Sequence, residues 1–337
     1  MRQVYEVIVI GCGGIGSAAA YWLARRIGEG VLAIEQFALD HDRGSSQDHS
    51  RIIRRSYHDP TYTALAGPAY EAWSEIEDAS GVQLVFKTGG LDLERLGTTG
   101  PKDLSHCAET MTVDGIAYDD LNAQEIMARW PQFRLPDDAR GLYQADSGLV
   151  DAGKANAVHR ALARGHGAVI RDHLPVRAIS STDDGVEVVT DDGVFSAERV
   201  VIAAGAWTNS VLATLGITWP LTVTQEQVTY FATPNLREFA PDRFPIWIWR
   251  APEEFYGFPI YGEVATKAGQ DVGGEEVTAE TRTFDPDPRT KERLIHFLEA
   301  HIPGFLGPEL YTKTCLYTMP PDRHFVIDAV PGHPRIT

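Results

Sequence analysis

The chain has 337 residues, of which 43% are hydrophobic, and its formal net charge is −17 at pH 7. So acidic a protein is a poor partner for nucleic acid or for an anionic membrane surface, because phosphate groups bind basic surfaces. The length suits one large domain or two interleaved domains. Three widely spaced cysteines, Cys12, Cys107 and Cys315, form no C-x-x-C pair, which argues against a disulfide framework and against a zinc site.

No apolar run approaches the ~18 residues that a membrane span requires, and the N-terminus enters a strand without space for a signal peptide. We therefore expect a cytoplasmic protein. No internal repeat, low-complexity segment or Pro/Gly/Ser-rich linker divides the chain. This absence predicts a chain that crosses between domains several times.

Residues 5–35 predict a strand, a tight turn and a helix. Residues 7–10 are an apolar run typical of a strand buried on both faces, and Gly11, Gly13 and Gly16 follow at G-x-G-x-x-G spacing. Gly11 would allow the sharp turn, Gly13 would let a pyrophosphate approach the backbone, and Gly16 would let the helix pack on the strand.

Glu35 ends the second predicted strand, 19 residues after Gly16. A carboxylate at this spacing suits a ribose hydroxyl, and the preceding helix N-terminus suits phosphates. The pattern predicts dinucleotide binding without specifying the dinucleotide. The alternative is a βαβ unit with a purely structural role.

Three arginines, Arg51, Arg54 and Arg55, lie within five residues, after a polar loop that includes Asp40-His41-Asp42. We interpret that acidic stretch as solvated charge rather than as a metal site. If the arginine run is helical, its arginines share one face; if it is extended, Arg54 opposes the other two. The run predicts either an anion site or a surface patch that neutralises nearby acids.

Periodicity and turn signals predict the remaining elements. Helices are expected over residues 61–78, 122–130, 155–164 and 290–301, and the second of these begins with a capping box formed by Asn122 and Glu125. The predicted strands cover residues 84–93, 176–179, 186–190, 199–205, 221–231, 246–249 and 325–328. Small residues at the end of the run 199–205 would permit close approach of a cofactor. Considered alone, Tyr256 is a core aromatic residue and Lys267 a solvated lysine.

Several separated segments together resemble one family, the monomeric sarcosine oxidase and N-methyltryptophan oxidase group of D-amino-acid-oxidase-like flavoproteins. The resemblance covers nearly the whole chain through the opening glycine motif, residues 50–57, 203–207, 255–259, Lys267 and residues 314–328. The most specific segment begins at Cys315 and continues Leu-Tyr-Thr-Met-Pro-Pro-Asp. It is similar to the family segment whose cysteine sulfur is bonded to the flavin.

The resemblance implies FAD, attached covalently through Cys315, and no metal. It makes Arg54 the partner of a substrate carboxylate, Arg51 a positive neighbour of the flavin ring, Tyr256 a pocket residue and Lys267 the positive charge that assists oxygen reduction. The cofactor-binding residues that it implies are Gly11, Gly13, Gly14, Gly16, Glu35, Ser45, Arg51, Gly205, Trp207 and Cys315.

The implied reaction is oxidation of a secondary amine that carries a carboxylate, such as sarcosine or another N-methyl amino acid. The imine product hydrolyses, and molecular oxygen is reduced to hydrogen peroxide. The resemblance also implies a monomer and an α/β fold, with a Rossmann-like FAD domain interleaved with an α+β substrate domain on a mixed sheet. The FAD domain would comprise residues 1–82, 147–218 and 313–337, and the substrate domain residues 83–146 and 219–312.

Two departures from the family pattern bear on function. Gln270-Asp271 replaces a histidine that follows the lysine, which would change how the amine end of a substrate is held. The chain also stops at Thr337, so we expect it to lack the C-terminal segment of the family fold. The alternatives are therefore a dehydrogenase of this fold with another electron acceptor, or a truncated, inactive flavin-binding homologue. An NAD-dependent dehydrogenase is disfavoured by Cys315.

Overall fold

The computed structural model describes residues 3–97, 103–181, 184–250 and 253–337. These ranges contain eighteen strands: β1 (Val4–Ile10), β2 (Val31–Ile34), β3 (Arg51–Ile53), β4 (Val85–Phe86), β5 (Gly90–Arg95), β6 (Asp119–Asn122), β7 (Ala139–Gln144), β8 (Gly148–Val150), β9 (Val169–Arg171), β10 (Val176–Ser181), β11 (Val186–Thr190), β12 (Gly193–Ile202), β13 (Thr222–Phe231), β14 (Ile246–Trp249), β15 (Phe255–Phe258), β16 (Thr266–Gln270), β17 (Glu275–Glu276) and β18 (Glu309–Met319).

The same ranges contain seven α-helices: α1 (Gly14–Ile27), α2 (Pro60–Ser80), α3 (Leu104–Val113), α4 (Ala123–Arg129), α5 (Ala152–Gly165), α6 (Thr208–Leu212) and α7 (Pro288–His301). Within the described residues, none of the helices is both long enough and apolar enough to span a bilayer.

Strand β1 lies inside a six-stranded sheet of order β10-β11-β12-β1-β2-β9. Both of its neighbours run parallel to it, and Ile10 lies opposite Ile202 on β12 and Ile34 on β2. All of β2 and the last four residues of β1 are buried, which explains their continuous apolar runs. The carboxyl ends of these parallel strands meet at one edge, where open α/β sheets bind ligands.

Helix α1 covers one face of this sheet and packs on α5. Its buried side includes Ala20 and Ala24, whose small side chains allow close helix contact. Helix α1 begins just beyond the end of β1, so the positive end of its dipole lies at the carboxyl edge of the sheet. Its N-cap residue, Gly13, provides no side-chain cap.

The second sheet has nine strands in the order β17-β13-β16-β15-β14-β5-β7-β6, with β18 paired along β13. Helices α4 and α7 contribute Ile126, Leu294 and Leu298 to an aromatic-rich core on this sheet, where Trp247 and Phe305 are fully buried. Burial of such large side chains stabilises the sheet strongly, at about 25 cal/mol per Å² of apolar surface.

A small sheet of order β3-β8-β4 lies against the nine-stranded sheet. Leu149 of β8 forms a buried cluster with Ile246 of β14 and Phe258 of β15. This packing holds β3, and with it the arginine run, beside the larger sheet.

Much of the predicted secondary structure is confirmed. Asn122 and Glu125 form a capping box at the start of α4, and the predicted strand 186–190 is present as β11, which pairs with β12 across a turn at Gly193. The predicted helices and the strands of the second sheet are present with boundaries shifted by a few residues. The fold class, α/β with mixed sheets, is as predicted, while the division into domains stays a prediction.

The strand predicted over residues 325–328 is wrong. These residues form no strand, and the side chains of Phe325, Val326 and Ile327 are 77%, 50% and 88% exposed. A strand is stabilised by hydrogen bonds to a neighbour, and the described part of the chain offers this segment no ladder to join.

Candidate active site

Glycines allow the turn between β1 and α1 to pack with its backbone in direct contact with neighbouring backbone. Gly11 has φ +98°, in the left-handed region that favours glycine. A Cβ on Gly16 would lie 1.8 Å from the carbonyl oxygen of Gly11, and one on Gly11 would lie 2.4 Å from that of Ala203. A Cβ on Gly13 would lie 2.9 Å from Ser46 Oγ. Side chains are therefore excluded where α1 meets the ends of β1 and β12.

Glu35 is a buried carboxylate at the end of β2. Its Oε2 accepts a hydrogen bond from the amide of Cys12 at 2.9 Å, and its Oε1 accepts one from the amide of Phe37 at 3.1 Å. His41 Nε2 lies 3.4 Å from Oε1. Burial raises the pKa of Glu35, but His41 and the two amides outweigh it and lower that pKa below its usual value. The side chain is thus an ionised hydrogen-bond acceptor beside the glycine turn.

A first cavity of about 340 Å³ opens at the carboxyl edge of the six-stranded sheet. Its walls include Gly11, Gly13 and Glu35, together with Gly205 and Trp207 beyond the end of β12. A second cavity of about 270 Å³ lies against the nine-stranded sheet. Both cavities share the lining residues Ser45, Gln47, Asp48 and Lys313, so they are adjacent parts of one elongated space.

The segment between the two cavities is the bridging loop, which we define as residues 44–50. Ser45 Oγ donates to the carbonyl of Leu316, and Gln47 Nε2 donates to that of Thr314 at 2.8 Å. Both carbonyls belong to β18 and flank Cys315 in sequence. The loop is thereby fixed to the strand that carries this cysteine.

The arginine run is extended, as β3 with a short continuation. Arg51 donates to the carbonyls of Ser45 and Gln47, both at 2.6 Å, and so holds the bridging loop. Arg51 and Arg54 both line the second cavity, since the strand ends at Ile53 and the alternation of side chains stops there. The remaining arginine, Arg55, lies over the ring of Tyr70.

Arg54 belongs to a buried charge cluster. Asp92 Oδ1 accepts from Arg250 at 2.6 Å and from Arg54 at 3.3 Å, and Oδ2 accepts from Ser56 Oγ at 2.6 Å. Burial raises the pKa of Asp92, but the charges of Arg250 and Arg54 outweigh it and hold that pKa below its usual value. Arg54 and Arg250 thus share one carboxylate, and both guanidinium groups line the second cavity together with Glu254.

Lys267 is a buried residue of β16, with 2% of its surface exposed. Its Nζ lies 2.7 Å from Asp48 Oδ2 and donates to the carbonyl of Ser50 at 2.9 Å. The interpretation of Lys267 as a solvated lysine is therefore wrong. Burial lowers the pKa of its ammonium to about 8, although Asp48 opposes the shift.

Cys315 and Tyr256 complete the second cavity with Lys267. Cys315 lies on β18 opposite Glu226 of β13, and burial raises the pKa of its thiol. Tyr256 on β15 is partly buried against Leu149, Ile246 and Phe258, and burial raises its pKa. Cationic and aromatic groups thus converge in a buried chamber, where low polarity strengthens the binding of a small anion.

The model of the DAO family, described as FAD dependent oxidoreductase, matches residues 6–337. The chain belongs to this family. It is 34% identical over 348 residues to a monomeric sarcosine oxidase of Streptomyces avermitilis, covering 99% of this chain and 87% of that protein. It is 31% identical over 335 residues to N-methyl-L-tryptophan oxidase of Escherichia coli K12, covering 98% of this chain and 87% of the relative.

Solved structures of other oxidases share the fold. The open form of NikD, an unusual amino acid oxidase essential for nikkomycin biosynthesis, has a TM-score of 0.87 at 27% identity and covers 99% of this chain and 88% of that chain. Glycine oxidase from Geobacillus kaustophilus, at 20% identity, has a TM-score of 0.79 and covers 99% and 88% of the two chains; it shows the fold alone.

The residues around the first cavity fit FAD, the cofactor of the DAO family. The glycine turn leaves space that a Cβ would fill. The N-cap residue of α1, Gly13, has no side chain, and Ser46 Oγ accepts a hydrogen bond from the amide of Gly14. Glu35 supplies an ionised acceptor, and the adjoining second cavity extends the space toward Cys315. An elongated dinucleotide needs these features in this order.

The predicted site residues lie around this elongated space. Those that line the cavities are Gly11, Gly13, Glu35, Ser45, Arg51, Arg54, Gly205, Trp207, Tyr256, Lys267 and Cys315. Gly14 donates its amide to Ser46 Oγ at 2.8 Å, and Gly16 packs beneath the turn. Their individual roles stay predictions.

Sequence reasoning missed Asp48, Asp92 and Arg250, which pair with predicted residues. No motif joins them, because each partner lies far away in the chain. Acids and arginines are rarely fully buried, so these residues stand out in the fold, whereas the sequence does not show which charged residues are buried. The stretch Asp40-His41-Asp42 is more than solvated charge, since His41 contacts Glu35 and Asp40 pairs with Arg160.

Replacing Gly16 by Ala is expected to abolish or strongly weaken FAD binding, because the new methyl group would meet the carbonyl of Gly11. Overpacking of this kind costs about 1–3 kcal/mol of stability. The flavin-to-protein absorbance ratio and the thermal unfolding midpoint measure both effects. Gly67→Ala adds the same methyl group within α2, where nothing lies within 4 Å; it should leave the flavin content unchanged and should not lower the unfolding midpoint, because alanine favours a helix more than glycine does. Full flavin content in the Gly16 variant would contradict this account of the turn.

Replacing Asp92 by Asn is expected to destabilise the protein by about 3–5 kcal/mol, because the buried Arg250 and the half-buried Arg54 lose the carboxylate that they share. Urea unfolding measures the loss. Asp138→Asn is the matched control, since it breaks the exposed pair with Arg95 and should have little effect. Equal stability of the two variants would show that the Asp92 cluster is not a buried ion network.

Proposed function

We propose that this protein oxidises an N-methyl amino acid or a related secondary amine that carries a carboxylate, and that molecular oxygen is the electron acceptor. The carrying observation is the convergence of Arg54, Tyr256, Lys267 and Cys315 on the second cavity, next to the dinucleotide cavity. The names of the sarcosine oxidase and N-methyl-L-tryptophan oxidase relatives support the substrate class.

The substrate loses two electrons and two protons from its carbon–nitrogen bond to become an imine, which water hydrolyses to an amine and a carbonyl compound. Bound FAD would supply the two-electron acceptor for the amine, and reoxidation by oxygen would yield hydrogen peroxide. The side chains of the second cavity bind and orient the substrate and stabilise the charge that develops during the reaction.

Arg54 is the group that binds the substrate carboxylate in this proposal. Its side chain is 20% exposed, whereas that of Arg250 is 4% exposed behind it. Asp92 fixes its position, and the ring of Tyr57 lies 4.6 Å from its guanidinium carbon. A guanidinium held in this way presents its planar fork to a carboxylate with little loss of side-chain entropy.

The amine end of the substrate would lie toward Tyr256. Asp271 and Glu254 line the same cavity, and Asp271 lies 3.6 Å from Arg323. These acids give the amine end an environment unlike that of a histidine, which supports a substrate other than sarcosine within the N-methyl amino acid class. No side-chain base is needed when the amine binds unprotonated.

Lys267 is the charge that assists oxygen reduction in this proposal. A buried ammonium at the chamber wall stabilises superoxide as it develops, because fixed charge acts most strongly where water is excluded. Arg51 lies in the same cavity and adds to the positive potential.

Covalent attachment of FAD through Cys315 is part of the proposal. Cys315 lines the second cavity, whereas Cys107 lies on the buried face of α3. We expect acid-precipitated protein to stay yellow and its intact mass to include one flavin. Cys315→Ser should release the flavin on precipitation and show the mass of the polypeptide alone, and Cys107→Ser should behave like the parent. Colourless precipitate from the parent would disprove covalent attachment.

The reaction is tested with a panel of N-methyl amino acids. The parent should release hydrogen peroxide with at least one of them. Lys267→Met should slow reoxidation of the reduced flavin by oxygen about 100-fold while anaerobic reduction by the substrate is retained, because the variant lacks the buried charge. Lys87→Met, which alters a half-exposed lysine paired with Asp146, is the control.

No peroxide from any substrate, with FAD bound, would contradict the proposed oxidase. An unchanged reoxidation rate in the Lys267 variant would contradict the role of Lys267 while leaving amine oxidation intact.

A further inference from the structure

Asp48 is a buried acid at the junction of the two cavities, and it has a strained backbone. Its φ is +92°, a region that non-glycine residues rarely adopt, and its side chain is 3% exposed. Such strain persists only where the surroundings hold it, and here Arg51 holds the bridging loop at the carbonyls of Ser45 and Gln47. The conformation aims the Asp48 carboxylate at the interior.

Both carboxylate oxygens of Asp48 are engaged by deeply buried groups. Oδ2 lies 2.7 Å from Lys267 Nζ, and Oδ1 accepts a hydrogen bond from Tyr230 Oη at 2.6 Å. Tyr230 of β13 and Lys267 of β16 are register partners in the nine-stranded sheet. The acid from the bridging loop therefore caps a pair of side chains presented by two neighbouring strands.

Two further cations lie at the edge of this group. Arg51 is 3.9 Å and Lys313 is 3.8 Å from Asp48, and the side chains of both are 38% exposed. Of the three cations near Asp48, Lys267 is the buried one. The titratable and charged groups around it are Asp48, Arg51, Tyr230, Tyr256, Lys313 and Cys315, and the rest of the second cavity adds Arg54, His58, Arg250, Glu254, Asp271 and Tyr317.

Without Asp48, a protonated Lys267 would share a buried chamber with Arg51 and have no ionised acid at contact distance. Removing one partner of a buried pair leaves an uncompensated charge, which is strongly unfavourable. The alternative for the lysine is to lose its proton. Asp48 thus decides whether this amine is a cation.

We propose that Asp48 is a positioning residue that fixes Lys267 at the wall of the second cavity and keeps it positively charged. This inference rests on the proposed function, in which the charge of Lys267 assists oxygen reduction. Asp48 acts through the lysine and has no direct role toward oxygen.

The direction of the pH effect follows from the pair. Burial lowers the pKa of Lys267 to about 8, and Asp48 raises it against that burial. Burial raises the pKa of Asp48, but the charge of Lys267 and the hydrogen bond from Tyr230 lower it to about 2, so the acid is ionised at neutral pH. In the parent, the positive charge on Lys267 is complete well below pH 8 and is lost as pH rises through that value.

Asp48→Asn removes the anion and nearly preserves the shape. The pKa of Lys267 should then fall by at least about one unit, because an opposite charge within contact distance favours the charged form by 1–3 units. As pH rises, the rate of oxygen reduction should therefore fall at a correspondingly lower pH in the variant than in the parent. At a pH well below the lowered pKa of Lys267, the lysine is still charged and no neighbouring anion offsets its charge. There, the variant should reduce oxygen as fast as the parent or faster.

The direct test is a titration of Lys267 in the flavin-loaded protein by NMR of lysine labelled with ¹³C at Cε, with Lys267→Met used to assign the signal. The parent, Asp48→Asn, Asp48→Glu and Tyr230→Phe are compared. We expect the Asn variant to titrate at least about one pH unit lower and the Glu variant to restore most of the difference. Tyr230→Phe leaves both charges in place and should change the midpoint least. An unchanged midpoint in the Asn variant would overturn the proposal.

A double-mutant cycle tests the Asp48–Lys267 pair through stability and needs no enzymatic turnover. It also covers the case in which a variant folds poorly. Asp48→Asn combined with Lys267→Met removes both charges and should be more stable toward urea than Asp48→Asn alone. Additive losses from the two substitutions would overturn the pairing.

The oxygen half-reaction then separates this inference from the proposed function. A shifted titration together with a shifted reoxidation profile supports both. A shifted titration with an unmoved profile keeps the role of Asp48 as counter-ion and contradicts the part of the proposed function that assigns oxygen reduction to Lys267.

Discussion

The bridging loop is the constraint on which the rest of the site depends. Ser46 accepts a hydrogen bond at Oγ from the first turn of α1 and one at its carbonyl from Asn156 of α5. Ser45 and Gln47 donate to β18 on the nine-stranded sheet. A single short segment thus ties the dinucleotide cavity to the chamber that contains Cys315, and a shift of the loop would move both together.

Buried acids are used repeatedly to organise this site. Glu35, Asp48 and Asp92 are each less than one-tenth exposed on the side chain, and each is held as an anion by a different set of donors. Backbone amides and a histidine serve the first, a lysine and a tyrosine the second, and two arginines the third. Because burial opposes ionisation in every case, each donor set must outweigh a desolvation cost. The positive character of the chamber exists within a chain whose net charge is −17.

The sequence predicted the parts of this molecule that depend on local rules. The glycine turn, Glu35 at the end of β2 and the capping box of α4 are set by residues close together in the chain, and the resemblance indicated which distant residues line the two cavities. The pairs Asp48–Lys267 and Asp92–Arg250 join segments that no periodicity connects, so they required the fold. The run 325–328 has the composition of a strand but lacks a ladder, which shows that β-propensity describes an environment as much as a residue.

The parallel pairing of β1 has a consequence for how the molecule forms. β1 and β2 are made first, yet the neighbour of β1 on its other side is β12, whose paired residues run from Ser196 to Ile202. The floor of the glycine turn, at the carbonyl of Ala203, therefore does not exist until well over half of the chain has left the ribosome. Contacts so distant in sequence form slowly, since a long loop must close first. The dinucleotide motif is complete as sequence within the first 35 residues, but it becomes a binding site only late in folding, so cofactor capture must follow assembly of the sheet.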